Sequence, residues 1–316
     1  MCRNVSLIFF SLFAAILTGC AQTPPVSERP QMGNLLLAEP APINPRSEMA
    51  IARYNQVLTS PALSDEDKAE LHFQRGMLYD SVGLSGLAQF DYTQAINLKP
   101  DLAEAYNSMG IHYIQQNDFI QAYDAFDSTL EINPEYDFAF LNRGIALYYG
   151  GRAELATNDL NRFFEKDDSD PFRALWLYII QHELTPEQAK LDLQKRYESR
   201  DEQWGWVLVA IMLDDITEEQ AFKAILTGTR DNTLLAQRLT ETYFYLAKRY
   251  HMNGDYANAI SLYKLAVSFN VYEYVEHRYS FLELSRIFST LKAEHLAQSK
   301  LAAAKLAEAE EEAKAK

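Results

Sequence analysis

Gly76, Gly110 and Gly144 stand 34 residues apart, and Ala88, Ala122 and Ala156 keep the same step. So do the bulky Tyr92, Phe126 and Leu160, and the prolines Pro100 and Pro134. A fixed step of this length marks one supersecondary unit repeated along the chain. Such a unit cannot bury its apolar face alone and must stack on its neighbours. The copies run 69–102, 103–136 and 137–170. Each reads as two antiparallel helices. Small residues at positions 8 and 20 let the paired backbones approach, position 24 fills space, and the proline stops the second helix. The third copy has Asp168 at position 32 and Pro171 three residues later, so the turn is expected to change there.

This spacing is similar to the tetratricopeptide (TPR) pattern. Charge supports the register. Position 7 is Arg75 in the first copy and Arg143 in the third, and position 23 is Asp91 and Asp159. In the second copy the same positions are Met109 and Ala125. Bridges Arg75–Asp91 and Arg143–Asp159 across each helix pair are therefore expected. The alternative is that these arginines bind a ligand carboxylate.

Other helices flank the three copies. Ser47 is expected to cap a helix over 48–59, and Ser64 the next, with Asp65, Glu66 and Asp67 in its first turn. Thr185-Pro186-Glu187-Gln188 and Thr217-Glu218-Glu219-Gln220 both read as capping boxes. They predict helices near 186–199 and 217–227, with another over 202–213 between them. Region 171–239 thus holds two degenerate helix pairs. Trp176, Trp204 and Trp206 lie there, as core or as interface anchors. A fourth copy occupies 240–273, with Leu246 and Leu262 at positions 7 and 23. A last helix over 274–290 would cap the array. Residues 291–316 are nearly all Ala, Lys, Glu and Leu, and are helical or disordered. The fold class is all-α: a TPR-type α-solenoid with degenerate middle repeats and a capping C-terminal helix.

The N-terminus reads as an address. Arg3 precedes an apolar run, Val5–Leu17, which ends in Leu17-Thr18-Gly19-Cys20. The run is short for a bilayer span and suits a signal-peptide core. The ending is similar to the bacterial lipobox, with cleavage after residue 19 and lipid on Cys20. Ala21, rather than Asp, then implies sorting to the outer membrane. Residues 20–46 hold six of the eleven prolines and form an extended tether. Its apolar island, Leu35-Leu36-Leu37, either docks on the body or a partner or is simply less mobile than its surroundings. The folded domain spans 47–290.

Formal net charge is −15, which argues against nucleic acid and against adsorption to anionic lipid. Membrane contact is expected through the lipid anchor only. The two cysteines, Cys2 and Cys20, leave no thiol in the body for a disulfide or a nucleophile. No two of the six histidines are at zinc-site spacing, and there is no GxSxG or phosphate loop. Ser261-Leu262-Tyr263-Lys264 matches SxxK, but it falls inside a repeat helix and lacks a KTG partner. No enzyme, cofactor or metal is expected.

Binding chemistry fits better. In the TPR superfamily, positions 2, 5, 9 and 12 of each first helix line the concave face. Here these are Glu70, Phe73, Met77 and Asp80; Glu104, Asn107, Ile111 and Ile114; and Phe138, Leu141, Ile145 and Tyr148. The face is apolar with an acidic rim, which suits an extended or helical apolar segment. Its occupant is either an external ligand, another part of this chain, or a second subunit.

The stretches LNRGIALYYGGR (141–152), DPFRALWLY (170–178), EQWGW (202–206), VEHRY (275–279) and MLYDSVGL (77–84), with the LTGC ending, resemble the NlpI outer-membrane lipoproteins of gamma-proteobacteria. The resemblance covers about 47–287, including the degenerate middle. It implies a homodimer, lipid-anchored in the outer membrane and facing the periplasm, that acts as an adaptor. Its implied partners are the periplasmic tail-specific protease, a peptidoglycan endopeptidase presented for degradation, and other cell-wall enzymes. The alternative is a TPR lipoprotein of the pilotin or outer-membrane-assembly kind, escorting an envelope client.

Overall fold

A Cβ placed on Gly110 would lie 2.5 Å from the Phe126 ring, and one on Gly76 would lie 2.6 Å from Tyr92. The bulky residue of each copy thus lies directly over the glycine of its own helix pair. Tyr92 also meets His112 of the next copy, ring centroids 5.8 Å apart. Tyr92, Phe126 and Leu160 are all buried. Burying each contributes about 1.5–3 kcal/mol, which holds helix to helix and copy to copy.

The computed structural model describes residues 35–315, with side chains through 305. The expected signal sequence, Cys20 and most of the expected tether lie outside the described residues. Among the described residues there are fourteen α-helices and no strand. They are α1 (Pro45–Val57), α2 (Asp65–Ser81), α3 (Ser85–Leu98), α4 (Ala103–Gln115), α5 (Phe119–Ile132), α6 (Asp137–Tyr149) and α7 (Ala153–Lys166). Then follow α8 (Pro171–Leu184), α9 (Pro186–Glu198), α10 (Gly205–Met212), α11 (Glu218–Gly228), α12 (Asn232–Met252), α13 (Tyr256–Ser268) and α14 (Val275–Ala315). Successive helices pair and stack as a TPR-type α-solenoid: α2/α3, α4/α5 and α6/α7, then the irregular α8/α9 and α10/α11, then α12/α13. None is long and apolar enough to cross a membrane.

Local chemistry sets the boundaries. Ser64 and Asp67 form a full capping box on α2, as do Thr217 and Gln220 on α11. Thr185, with the same four-residue signature, makes no side-chain cap. It is the sole linker between α8 and α9, with φ −143° and ψ 76°, and Gln188 bonds Asp192 instead. Helix α1 starts earlier than Ser47, because Asn44 caps it and Pro45 takes its first position. Pro171 likewise opens α8, capped by Asp170, so the third copy passes directly into the irregular region.

Two features sharpen the sequence reading. Part of the proline-rich tether is bonded to the body. Tyr243 donates to the Leu36 carbonyl, Asn232 reads both the N–H and C=O of Glu39 at 2.9 Å, and Ala41 N–H donates to Phe269 O. The chain just before α1 is thus laid across α12 and the end of α13. Secondly, α14 does not stop near residue 290 but runs unbroken for 41 residues. Its first half packs on α12, α13 and, across the concave side, α4. From Lys292 to Lys305 every side chain is exposed.

Candidate functional site

The concave positions divide into three groups. The first is closed over by the chain's own C-terminal helices. Ile114 and Ile145 are fully buried, and Tyr148 is 5% exposed. Tyr148 accepts from Lys248 of α12 at 2.8 Å and lies under the Arg286 guanidinium of α14. Asp80 joins three elements. It accepts from Tyr92 at 2.9 Å and lies 3.1 Å from His112 and 3.9 Å from Arg278 of α14. Burial opposes its ionisation, but His112, Arg278 and Tyr92 outweigh that and hold its pKa below the usual range. Ile114, Ile145 and Tyr148 hold the array together and are not free for a ligand, while Asp80 is committed to these partners at the edge of a pocket beside α14.

The second group lies toward the first copy. Phe73 is buried against Tyr92, whereas Glu70 and Met77 are exposed, Glu70 accepting from Gln74.

The third group stays open. Asn107, Ile111, Phe138 and Leu141 line a groove of about 440 Å³, while Glu104 stands partly exposed on the same helix as the first two. Phe138 is 56% exposed, tilted against Phe163. Asn142 Nδ2 donates to Asn107 Oδ1 at 3.0 Å, so neither the Asn107 Nδ2 amide donors nor the Asn142 Oδ1 acceptor is used in that bond. Trp176 and Arg173 of α8 form one wall. Arg173 is held by Asp137 at 2.9 Å and stacks on Phe163. The facing wall comes from the other end of the chain: Glu241 of α12, and Val275, Glu276 and Arg278 of α14.

Glu241 and Glu276 are buried, 6% and 4% exposed. Glu241 accepts from the Trp204 indole at 2.7 Å, and Glu276 from Tyr245 at 3.1 Å. Burial and the charge of Glu276 push the Glu241 carboxyl up to about 8. Burial pushes Glu276 up to about 7, against hydrogen bonds from its own backbone and Tyr245. Neither residue was among the sequence candidates. A signal existed for one of them. Positions 2, 5, 9 and 12 of the fourth copy are Glu241, Phe244, Lys248 and His251. Glu241 lines the groove, Lys248 pairs with Glu283 of α14, and His251 lies 3.0 Å from Glu283. Glu276 follows no repeat position, and only the return of α14 brings it here.

The paired residues of positions 7 and 23 lie away from the groove. Arg75 makes a bidentate bond to the buried Asp91 at 2.7 and 2.6 Å, and Arg143 one to Asp159 at 2.7 and 2.8 Å. His72 adds a 2.8 Å contact to Asp91. With both carboxylate oxygens engaged, these arginines act as ties between helices. Of the tryptophans, Trp176 and Trp206 are core, while Trp204 is partly exposed over Glu241. Ser261 lies mid-α13 and donates to Ala257 O of its own helix. Among the described residues no group of three His, Cys, Asp or Glu is placed to hold a metal.

Paired helices stacked around a concave groove define the class: a TPR-type α-solenoid, an interaction scaffold. A family model described as the tetratricopeptide repeat matches residues 69–102. Similar solved structures include a tetratricopeptide repeat protein from Parabacteroides merdae, 16% identical, with 76% of this chain and 91% of that one aligned and a TM-score of 0.46. PilF of Pseudomonas aeruginosa is 16% identical, over 76% of this chain and 90% of its own, TM-score 0.42. YrrB, a TPR protein with an unusual peptide-binding site, is 15% identical, over 74% and 97%, TM-score 0.39.

Proposed function

We propose that this chain is a non-enzymatic adaptor of the NlpI type. It is tethered to the outer membrane through lipid on Cys20 and faces the periplasm. There it holds a tail-specific protease and peptidoglycan hydrolases together, so that a cell-wall endopeptidase is degraded under control. The observation that carries this function is the open groove, where Ile111 is partly exposed and Phe138 is 56% exposed, leaving apolar surface for a partner. The resemblance of 141–152, 170–178, 202–206 and 275–279, and the LTGC ending, point to the partners and the place. An adaptor raises the encounter rate of its two partners by effective concentration and needs no chemistry of its own.

Self-association is part of the proposal. Helix α1 has no buried residue, and Met49 is 73% exposed. Met49, Ala50, Tyr54 and Val57 with Leu71 of α2 line a second open groove of about 630 Å³. A second copy is the proposed occupant.

The test is affinity capture from envelope extracts with the tagged, lipidated chain, alongside hydrolase turnover in a deletion strain. Recovery of both a protease and an endopeptidase, and slower endopeptidase turnover in the deletion, are expected. Unchanged turnover would overturn the adaptor role.

A further inference from the structure

Two buried carboxylates face the groove with too little positive charge around them. Glu276 has no basic nitrogen within 4.0 Å among the described residues, and Glu241 has only Arg238 at 3.5 Å. The two guanidiniums on the groove walls are committed elsewhere. Arg173 is tied to Asp137 and Asp170, and Arg278 donates to Tyr272 O and leans to Asp80. Burying an acid this way is costly unless a cation or several donors offset it. The fold supplies one strong neutral donor to each, Trp204 and Tyr245. These bonds link α12 to α10 and to α14, but through neutral donors, without the buried cation that Lys248 gives Glu283.

The rest of the groove is built for a chain segment. Asn107 and Asn142 are 7% and 4% exposed, and each keeps one amide atom uncommitted to the other. One donor and one acceptor side by side match the C=O and N–H of a peptide unit. Ile111, Phe138 and Trp176 offer an apolar seat beside them.

We propose that the groove selects an extended peptide segment of a partner protein in which a lysine or arginine side chain enters against Glu241 and Glu276, with an apolar residue next to it on Ile111 and Phe138. This rests on the adaptor reading above and gives the groove its specificity. The basic side chain restores the charge that burial takes from the two acids, and it does so where water is scarce, so the contact discriminates strongly. Acidic and amide side chains meet either like charge or an unpaired buried carboxylate.

The test is a random dodecapeptide library displayed on phage and panned on the purified full chain. Selected sequences are then made as labelled peptides and titrated by fluorescence anisotropy against three proteins: the parent, Ile111→Glu, and the double variant Glu241→Gln/Glu276→Gln. Gln has the shape of a neutral Glu, so the double variant is expected to fold, which its melting curve checks. The expected consensus pairs Lys or Arg with an apolar neighbour. These peptides should bind the parent at least about tenfold tighter than their Lys→Gln counterparts. That advantage should vanish in the double variant, and all binding should vanish in Ile111→Glu. Peptides lost in Ile111→Glu but indifferent to the basic residue would overturn the cation site and leave the groove standing. So would a basic preference that survives the double variant, since the chain's overall negative charge would then explain it. Absence of any Ile111-sensitive peptide would overturn the groove as a peptide site, and this proposal with it.

Discussion

Lys248 Nζ of α12 lies 2.5 Å from Glu283 Oε1 of α14, and both side chains are fully enclosed. Tyr149 of α6 donates to the same carboxylate at 2.8 Å, with His251 at 3.0 Å and Arg286 at 3.9 Å. One acid thus joins the third copy, the fourth copy and the last helix. Burial opposes its ionisation, but Lys248, His251 and Arg286 outweigh burial and hold Glu283 well below the usual carboxylate range.

Removing the acid should therefore cost more than removing one base. Glu283→Gln leaves Lys248 and Arg286 facing each other without a counter-charge, and a loss of about 3–5 kcal/mol is expected. Lys248→Met leaves Glu283 with Arg286 and His251 and should cost less. Urea denaturation of the three proteins checks the order. Because the folded pKa is depressed, this stabilisation is present above the unfolded value and is lost as pH falls below about 4.5.

Glu241 and Glu276 carry the opposite sign. Their folded pKa values, about 8 and about 7, lie above the unfolded value. Their contribution is full below about 4.5 and is lost as pH rises toward 8. Glu241 faces Trp204, Arg238, Tyr274 and Glu276, and Arg238 offsets only part of the cost. Glu241→Gln should raise Tm relative to the parent at pH 8 and leave it nearly unchanged at pH 5. Melting curves across this range decide it; an equal difference at both values would count against the buried pair.

The second copy has already made one substitution experiment. It holds Met109 and Ala125 where its neighbours hold Arg and Asp. Arg75→Met alone leaves Asp91, which is fully buried, with His72 as its remaining partner, and about 3 kcal/mol should be lost. Arg75→Met/Asp91→Ala should recover most of it. A double-mutant cycle by chemical denaturation measures the coupling.

Gly110→Ala should destabilise by about 1–3 kcal/mol, because its Cβ meets the ring of Phe126. Adding Phe126→Leu should return part of the loss. No rescue would mean that backbone conformation, not the close approach, makes the glycine necessary.

Met49→Glu tests the first helix. Met49 is 73% exposed, so the folded monomer should keep its Tm within about 0.5 kcal/mol equivalent. Sedimentation velocity should show the proposed dimer of the parent chain weakened. An unaltered dimer would remove α1 from the interface.

Much of the scaffold is legible in the chain. Local periodicity encodes helix pairs because each small residue must fall where two backbones approach, as Gly110 does over Phe126. Local capping is less secure. The Thr217 and Thr185 signatures are alike, yet only Thr217 forms its box, because Thr185 also ends the preceding helix and takes ψ 76° where Thr217 takes ψ 160°. The groove is half legible. Asn107, Ile111, Phe138 and Leu141 line it, whereas Ile114, Ile145 and Tyr148 occupy equivalent positions and are covered.

The difference lies in sequence distance. The sequence by itself determined the repeat, its register and the face each first helix turns inward, because those are contacts over four to thirty-four residues that a period records. Only the tertiary structure decided what fills that face. Glu283 reaches Tyr149 across 134 positions, and Lys248 reaches Tyr148 across 100. No period links those residues. The curvature summed over all the helix pairs brings α14 back across α4, and that return sets Glu276 opposite Ile111 and Phe138 in the groove which Glu241 also borders.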